Sequence, residues 1–519
     1  RWVWWDRTTA DVVARHSLRL DRCWDVLTVH RLLAGRWRTS VGLAWAWLHG
    51  LSPETLPKMG QLGLLDAPAD EGLDPEDPVR PDGHLRPEWT AGGWRSSPPR
   101  LAAWAALAAE AAAMQRALLR ERPFPDRAVS TAHAESVAEL LCAELTCGGL
   151  PIDEHEAGRI IAAAVGPRPT SSDDEEALKA RRDSLVTEHL DPPQNVNLRN
   201  PADVKALLRR VGVDVPDTRA WRLEQLRDEH PVVAALLRWR KAERIATTYG
   251  YGWLDEHVTE RRLVGEWTSS DGAAGRMTAS AGLHNLPAEM RPAVAADPGH
   301  VFVRADLGQI EPRVLAAVSG DDALIAATKD IDLYQPVARR LGVDRDIAKV
   351  AVLGAMYGST TGESAHALRG LQHAYPTAMR FLEQAAAEGS AGNDVMTVGG
   401  RRIRMWVDSS VAGDIDRARA VAAARGRFAR NAVVQGAAAE FFKVWAIIVR
   451  RQCRALAAEI VLCLHDELLV HAPADQGDEA AAVVAAAVEE AAYYWSPEPD
   501  VRFVADVSVI SRWSEAKDA

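Results

Sequence analysis

The sequence predicts a multidomain α/β protein, and three observations support this fold class. The chain has 519 residues, and because a domain takes roughly 150 residues we expect three or four domains. Residues 262–519 alternate between strand-like and helix-like patterns, whereas residues 176–260 are helical and rich in arginine. Charged residues make up 26% of the chain, close to the ~25% of ordinary soluble proteins, which excludes wholesale disorder.

The N-terminal elements follow from local composition. Residues 1–60 alternate short apolar and polar runs, which is typical of a small α/β unit. The stretch 62–100 is rich in proline and glycine and predicts a loop or linker, since it cannot hold a continuous helix. Alanine and leucine patterns predict helices over 101–120 and 132–145, and residues 148–153 predict a turn that leads into a capped helix.

Composition also excludes several classes of protein. No uninterrupted run of ~18 apolar residues is present, so we expect no membrane span. The five cysteines are scattered and form no CxxC pair, so neither a disulfide framework nor a zinc ribbon is expected. The net charge of −11 argues mildly against nucleic-acid binding over the whole surface. Because the chain starts without methionine or a secretory leader, we interpret it as cytoplasmic, with a trimmed N-terminus as one explanation.

The first acidic segment is a predicted strand over 301–306 that ends in Asp306. A helix is expected from about residue 309, with Pro312 tolerated in its first turn. An acid at the tip of a buried strand is held rigidly with its oxygens facing outward, which suits a divalent cation. The alternative is that Asp306 only caps the following helix, and for this segment alone that is the simpler interpretation.

The second acidic segment is a predicted hairpin over 460–471, with His465, Asp466 and Glu467 at its tip. Ordinary hairpin tips use Asn-Gly or Asp-Gly, so three ionisable residues between apolar arms are hard to explain by turn geometry. If this hairpin shares a sheet with strand 301–306, Asp306 and Asp466 can bracket two metal ions ~4 Å apart. That arrangement suits in-line phosphoryl transfer.

Between these segments, Arg345, Lys349, Leu353 and Tyr357 are spaced by four residues. On an α-helix each step of four drifts by only ~40°, so the four side chains form one stripe. Two cations, an apolar surface and an aromatic ring suit a triphosphate, a sugar and a base lying along the helix. The alternative is a surface helix with a solvated Arg/Lys pair.

These three segments resemble the three conserved motifs of the family A DNA polymerases. In chain order, the segment at Asp306 resembles motif A, the segment at Arg345 resembles motif B and the segment at His465 resembles motif C. Motif A of that family reads Asp-Tyr-Ser-Gln-Ile-Glu-Leu-Arg, and residues 306–313 here read Asp-Leu-Gly-Gln-Ile-Glu-Pro-Arg. Motif C is the His-Asp-Glu at 465–467. Motif B, Arg-x3-Lys-x3-Phe/Tyr-Gly-x2-Tyr-Gly, is matched by Arg345, Lys349, Gly354, Tyr357 and Gly358. As an ordered set over roughly 130–519, the resemblance is very specific.

The resemblance implies a right-hand polymerase with palm, fingers and thumb, preceded by a small ribonuclease H-like exonuclease remnant. The implied domains are a truncated, degenerate exonuclease-like domain (1–98), connecting helices and the start of the polymerase domain (99–175), the thumb (176–262), palm with motif A (263–322), fingers (323–410) and palm with motif C (411–519). The implied partners are primer–template DNA and dNTPs, and the implied state is a monomer with no membrane partner.

The resemblance also implies the site residues. The chain would extend a DNA primer with dNTPs using two Mg²⁺ ions, with Mn²⁺ as an alternative. The implied catalytic residues are Asp306, Asp466, Lys349 and Glu467, and the implied metal ligands are Asp306, Asp466 and the Leu307 carbonyl. The implied nucleotide-binding residues are Arg345, Lys349, Leu353, Tyr357, Glu311 and Gln309. The implied DNA-binding residues are Arg276, Asn285, Arg427, Asn431, Gln435 and His465.

Two departures from the family pattern concern the nucleotide. Leu353 stands where the family has an aromatic residue, which changes the packing against the sugar. Asp332 stands where the family usually has a phosphate-contacting histidine. A carboxylate beside a triphosphate is repulsive, so nucleotide affinity or metal demand is expected to differ.

The N-terminal region resembles the family's 3′–5′ exonuclease domain weakly, with Asp25 near its second acidic motif. The exonuclease reaction of that family needs an Asp-x-Glu pair and a Tyr-x3-Asp or His-x3-Asp motif to hold two metal ions. No tyrosine precedes Tyr249, and the Asp-x-Glu of this region, Asp74 to Glu76, lies in the proline-rich stretch. We therefore predict no proofreading, and a role in repair or damage tolerance. The rival interpretations are a nuclease acting through the N-terminal domain and a non-catalytic DNA-binding scaffold.

Overall fold

The computed structural model describes residues 2–35, 39–58, 76–191, 196–358, 364–406 and 415–516. The helices are α1 (Arg7–Arg15), α2 (Val26–Ala34), α3 (Val41–Leu48), α4 (Pro87–Thr90), α5 (Pro98–Arg120), α6 (Pro125–Gly148), α7 (Glu154–Val165), α8 (Ser172–Thr187), α9 (Pro201–Arg210), α10 (Ala220–Gln225), α11 (Pro231–Thr248), α12 (Tyr251–His257), α13 (Ile310–Ser319), α14 (Asp322–Ala327), α15 (Tyr334–Leu341), α16 (Arg345–Tyr357), α17 (Ser364–Ala374), α18 (Pro376–Ala391), α19 (Ile415–Gln452) and α20 (Gly477–Trp495). The strands are β1 (Trp2–Trp4), β2 (Cys23–Asp25), β3 (Leu150–Pro151), β4 (Val258–Thr259), β5 (Arg262–Leu263), β6 (Trp267–Asp271), β7 (Arg276–Ala279), β8 (His300–Leu307), β9 (Val395–Met396), β10 (Arg402–Ile403), β11 (Glu459–Leu464), β12 (Glu467–Pro473) and β13 (Ala505–Ile510).

The chain divides into two compact units. The first contains residues 1–148, 266–279 and 299–510, and the second contains residues 149–265, 280–298 and 511–519. Within the second unit, α8, α9, α10 and α11 enclose a core of valine and leucine side chains, and β3, β5 and β4 form a small sheet. The helical pattern predicted for 176–260 is therefore confirmed. The capped helix predicted after residue 153 is confirmed as well, since the Asp153 carboxylate accepts from the Glu156 N–H at the start of α7.

The centre of the first unit is a four-stranded antiparallel sheet in the order β11-β12-β8-β13. Side chains alternate across a strand, so odd-numbered residues of β8 share one face and even-numbered residues share the other. Gly477, at the start of α20, lies against Val301 and Val509, so α20 covers the odd-numbered face. The opposite face carries Arg304 and Asp306.

Two helices of the first unit, α18 and α19, pack closely against each other. Gly389 of α18 and Gly426 of α19 lie where an added Cβ would overlap Ala429 and Ser390, respectively. Glycine at both positions therefore allows the helix backbones to approach. The apolar stretch of α19 is long enough to cross a membrane, but 89% of its most apolar window is buried inside the protein, which is the environment of a core helix.

The N-terminal part of the first unit is a small α/β arrangement, as predicted. Strands β1 and β2 pair in parallel, and tryptophans dominate the adjoining core. The predicted helix 101–120 corresponds to α5, whereas the helix predicted over 132–145 is longer in the structure. It begins at Pro125 because proline is tolerated in the first turn, where its missing N–H has no intrahelical partner. Residues 62–75 of the predicted loop lie outside the described residues. The remaining part, 76–100, contains the short helix α4.

The buried Asp25 ends β2 and begins α2. Its Oδ1 accepts from the Thr28 N–H at 2.8 Å and its Oδ2 accepts from the Trp4 indole N–H at 2.8 Å. The residue is fully buried, and burial raises the pKa of its carboxyl to about 7. Both oxygens of Asp25 therefore have a structural use in the fold.

A second buried ionic group ties α6 to α19. The Lys443 ammonium donates to both oxygens of Glu135 at 2.7 Å, and the Arg401 guanidinium lies 2.7 Å from the same carboxylate. Burial alone would raise the pKa of the Glu135 carboxyl, but the charges of Arg401 and Lys443 hold that pKa below its usual value. Lys443 and Glu135 are each only 1% exposed, so the pair is enclosed in the core.

Candidate active site

Asp306 lies at the end of β8, with the strand predicted over 301–306 confirmed. It is not the cap of the following helix, because Gln309 occupies the N-cap position of α13, in a left-handed conformation with φ 47°. The helix-capping interpretation of Asp306 is therefore wrong. The Asp306 carboxylate lies near the end of a central strand of the sheet, where Arg304 contacts one of its oxygens.

The predicted hairpin is also confirmed. Strands β11 and β12 pair antiparallel, His465 and Asp466 form the turn between them, and Glu467 begins β12. Strand β12 lies directly beside β8, with Glu467 opposite Asp306. The Leu307 N–H donates to the Asp466 carbonyl at 2.9 Å. Two acidic segments that are far apart in the chain thus meet in one sheet, as the two-metal hypothesis requires.

The electrostatics of these acids indicate a site whose negative charge is only partly offset by Arg304. Burial raises the pKa of Asp306 to about 6 against the opposing effect of Arg304, with smaller contributions from Glu467 and Asp506. Burial, and then the charges of Asp306 and Glu467, raise the pKa of Asp466 to about 7. Carboxylates that disfavour ionisation in one another's company are ionised more easily when a cation is bound between them.

The donor chemistry fits magnesium. Among the residues that the structure describes, no three His, Cys, Asp or Glu side chains are grouped so as to hold a metal by themselves. Mg²⁺ does not require such a cage, because it is usually bound through one or two carboxylates together with substrate phosphates and water. Asp306 and Asp466 supply hard oxygen ligands of that kind. The Leu307 carbonyl as a third ligand stays a prediction.

Sequence analysis missed two charged residues at this site. Arg304 lies two residues before Asp306 on the same face of β8, and its guanidinium contacts Asp306, Glu467 and Asp506. Asp506 lies on β13 directly opposite Asp306. An arginine inside an otherwise apolar strand was the available signal for Arg304. Asp506 could not be found locally, since its position depends on which strand pairs with β8.

The predicted stripe lies on one helix, α16, which begins at Arg345 and ends at Tyr357. Its buried residues lie on another side, and Lys349 is exposed. Arg345 is engaged, because its Nε donates to the Asp332 carboxylate at 2.6 Å. This hydrogen bond is the main reason why the pKa of Arg345 is raised. The departure at Asp332 therefore has a structural partner.

Glu311 joins residues from four segments. The Arg276 guanidinium donates to Glu311 Oε1 at 2.9 Å, and the Tyr357 hydroxyl donates to Oε2 at 3.1 Å. Gln435 hydrogen-bonds the same Tyr357 hydroxyl. Burial and the charge of Arg276 lower the pKa of His465, so the hairpin tip also lies near this group. Residues predicted to bind nucleotide and residues predicted to bind DNA therefore lie together here.

The remaining predicted residues lie as follows. Arg427, Asn431 and Gln435 follow one another at four-residue spacing on α19, so they share one side of that helix. The Gln309 amide oxygen accepts from the Leu333 N–H and from Arg313, which fixes the start of α13. Leu353 is half-buried on α16. Asn285 belongs to the second unit, where Arg244 donates to its carbonyl.

Comparison with known families matches residues 172–515 to DNA polymerase family A. The chain belongs to DNA polymerase family A. The right-hand polymerase fold class predicted from the sequence is thereby confirmed. Two curated relatives are DNA polymerase I of Chloroflexus aurantiacus, 33% identical over 295 residues, and thermostable DNA polymerase I of Thermus filiformis, 31% identical over 330 residues. The matches cover 50% and 57% of this chain but only 30% and 38% of those proteins.

A solved structure of the same family has a similar fold. It is the POL domain of Pol1 from M. smegmatis in complex with a DNA primer-template and dNTP. The similarity has a TM-score of 0.62 at 22% sequence identity, and it covers 81% of this chain and 76% of that one. This chain spans about a third of the length of those curated relatives.

Proposed function

We propose that this chain is a DNA-templated DNA polymerase that extends a primer 3′ end with dNTPs by two-metal nucleotidyl transfer. The observation that carries the proposal is the meeting of Asp306 and Asp466 on neighbouring segments of one sheet. A helix with an exposed cationic stripe, α16, belongs to the same unit. A non-catalytic scaffold has no need for half-buried carboxylates whose pKa values are raised, chiefly by burial, above those of ordinary surface acids.

Each residue has a defined part in this reaction. Asp306 and Asp466 would hold two Mg²⁺ ions, or Mn²⁺, and the bound ions would neutralise the triphosphate and lower the pKa of the primer 3′-hydroxyl. Arg345 and Lys349 bind the phosphates, and Lys349 donates a proton to the leaving pyrophosphate. The primer–template near the growing end is contacted by Arg276, Arg427, Asn431, Gln435 and His465. The arginines of 176–260 bind duplex phosphates.

Single-nucleotide incorporation on a primed template tests this function. We expect a matched dNTP to be added in a template-dependent and metal-dependent manner. The wild-type chain bound to a duplex but adding no nucleotide would instead support the scaffold interpretation. A labelled 3′ end that is shortened without dNTPs by Asp306→Asn protein would support the nuclease interpretation.

We also propose that the chain does not proofread. Asp25 is the residue that falls near an exonuclease acidic motif, and it has no solvent exposure. Asp74 lies outside the described residues, and Glu76 forms an ion pair with Arg100 at 2.7 Å. A polymerase without proofreading suits repair or damage tolerance. We propose a monomer in the bacterial cytoplasm for that role.

Replacing Asp332 by asparagine is expected to lower the KM for a matched dNTP about threefold to fivefold, with kcat nearly unchanged. Asparagine still accepts from the Tyr334 N–H, as Asp332 does at 3.1 Å, but it no longer holds Arg345 in an ion pair. Arg345 is then available for the triphosphate, and one repulsive charge is removed. Steady-state kinetics with a single dNTP measure the effect.

Asp330→Asn is the matched control for that substitution. Asp330 lies two residues away, carries the same charge and pairs with Arg339 rather than Arg345. An equal fall in KM in both variants would show a general charge effect and would contradict the specific role of Asp332.

Replacing Glu311 by alanine is expected to reduce discrimination between dNTP and NTP, measured as the ratio of kcat/KM values, on the order of 100-fold. The side chain of Glu311 is held between Arg276 and Tyr357, so it fills a fixed volume that a 2′-hydroxyl would need. Glu311→Gln keeps that volume and should retain most of the discrimination. Equal use of NTP and dNTP by the wild-type chain would overturn this role.

A further inference from the structure

Arg304 is a nearly buried cation in the middle of the carboxylate group. Its side chain is 7% exposed. Its Nε lies 2.9 Å from Glu467 Oε1, its Nη2 lies 3.2 Å from Asp306 Oδ2, and its Nη1 lies 3.3 Å from Asp506 Oδ2. Each nitrogen of the guanidinium thus binds an acid from a different strand.

The sheet register explains why one arginine reaches three acids. Asp306 is paired with Glu467 on one side and with Asp506 on the other. Residues two apart on a strand share a face, so Arg304 lies on the same face as this row of acids. A planar guanidinium with a fixed set of donors matches such a row better than an ammonium does.

Building on the proposed polymerase function, we propose that Arg304 is a positioning residue for the metal site. It acts as a fixed internal cation that orients Asp306 and Glu467 and limits the affinity of the site for divalent ions until a nucleotide arrives. One oxygen of Asp306 accepts a hydrogen bond from Arg304, so the guanidinium and a metal ion compete for the same carboxylate. The charge of Arg304 also repels a divalent ion directly.

The consequence is a requirement for substrate phosphates. A site in which an arginine already offsets part of the negative charge binds a divalent ion weakly through protein ligands alone. The triphosphate then supplies the missing negative charge and oxygen ligands. Metal and nucleotide binding are therefore coupled.

A purely structural role for Arg304 predicts the opposite result on substitution. If Arg304 only ties three strands together, its removal disorders the acids and weakens metal binding. If it also opposes the metal, its removal strengthens metal binding despite the lost hydrogen bonds. The direction of the change in metal affinity therefore separates the two roles.

The experiment measures Mn²⁺ binding to the full chain, without DNA or dNTP, from the electron paramagnetic resonance signal of free Mn²⁺. We expect Arg304→Met to bind Mn²⁺ at least about fivefold more tightly than the wild type, since a positive charge near the ion is removed. Arg304→Gln, which keeps a hydrogen-bond donor without charge, should also bind more tightly. Arg304→Lys keeps the charge and should bind like the wild type. Asp306→Asn should abolish the binding and so identifies the site.

Unchanged or weaker Mn²⁺ binding in the folded neutral variants would overturn the proposal. Failure of both neutral variants to fold would count against it as well, because Arg304 would then be an indispensable structural tie. Suppose that the wild-type chain extends primers but the neutral variants bind Mn²⁺ no more tightly than the wild type. That result would reject the role of Arg304 and leave the polymerase proposal standing. A wild-type chain that neither binds Mn²⁺ nor extends a primer would reject the polymerase proposal itself.

Discussion

Asp306→Asn is expected to reduce the rate of nucleotide incorporation by at least about 10³-fold, while the affinity for a primed duplex stays within about threefold. The substitution keeps the size of the side chain and removes the charge that a metal ion requires. Asp306 lies one residue before the end of β8, directly beside the hairpin that carries Asp466. Single-turnover incorporation and a fluorescence-based duplex titration measure the two quantities.

Glu459→Gln is the control for this substitution. Glu459 belongs to the same sheet, but it lies at the far end of β11, opposite His471, and its partner is the exposed Arg19. It should leave incorporation unchanged. Incorporation by Asp306→Asn at more than a tenth of the wild-type rate would contradict the assignment of Asp306 as a metal ligand.

Glu135→Met is expected to lower the free energy of unfolding of the first unit by about 3–5 kcal/mol. Methionine fills much of the volume, but it leaves the ammonium of Lys443 and the guanidinium of Arg401 buried without their shared carboxylate. Both cations are at most 4% exposed, so water cannot replace the lost partner. Urea denaturation followed by tryptophan fluorescence measures the change.

The Glu135→Met, Lys443→Met double variant tests whether the loss comes from an unpaired charge. Removing both partners should cost less than the sum of the two single substitutions, because one stranded cation is removed together with the acid. Additive effects in the double variant would show that the two groups stabilise the fold independently of each other.

The sequence predicted the elements of the site well because each depends on local patterns. The apolar arms around residues 465–467, the strand before Asp306 and the four-residue spacing along α16 are all local signals. The capping alternative for Asp306 failed for a local reason too. The chain takes three further residues to turn, and Gln309, in a left-handed conformation, is the N-cap of α13.

The contacts between elements could not be predicted in the same way. The departure at Asp332 was visible in the sequence, but its ion pair with Arg345 depends on how α15 and α16 pack. Asp506 lies opposite Asp306 only because β13 pairs with β8, and hydrophobic alternation does not specify which strands become neighbours. The sequence identifies the acids that end strands, and the fold decides which of them meet.

The enclosure of Asp25 has a practical consequence for protein engineering. Its two oxygens already accept from the Thr28 amide and the Trp4 indole, so new acidic residues placed nearby would not make this carboxylate available to a metal ion. Withdrawing it would also leave an indole donor unsatisfied in the interior. Building a metal-dependent exonuclease site in this region would therefore require exchanging the whole amino-terminal segment rather than point substitution.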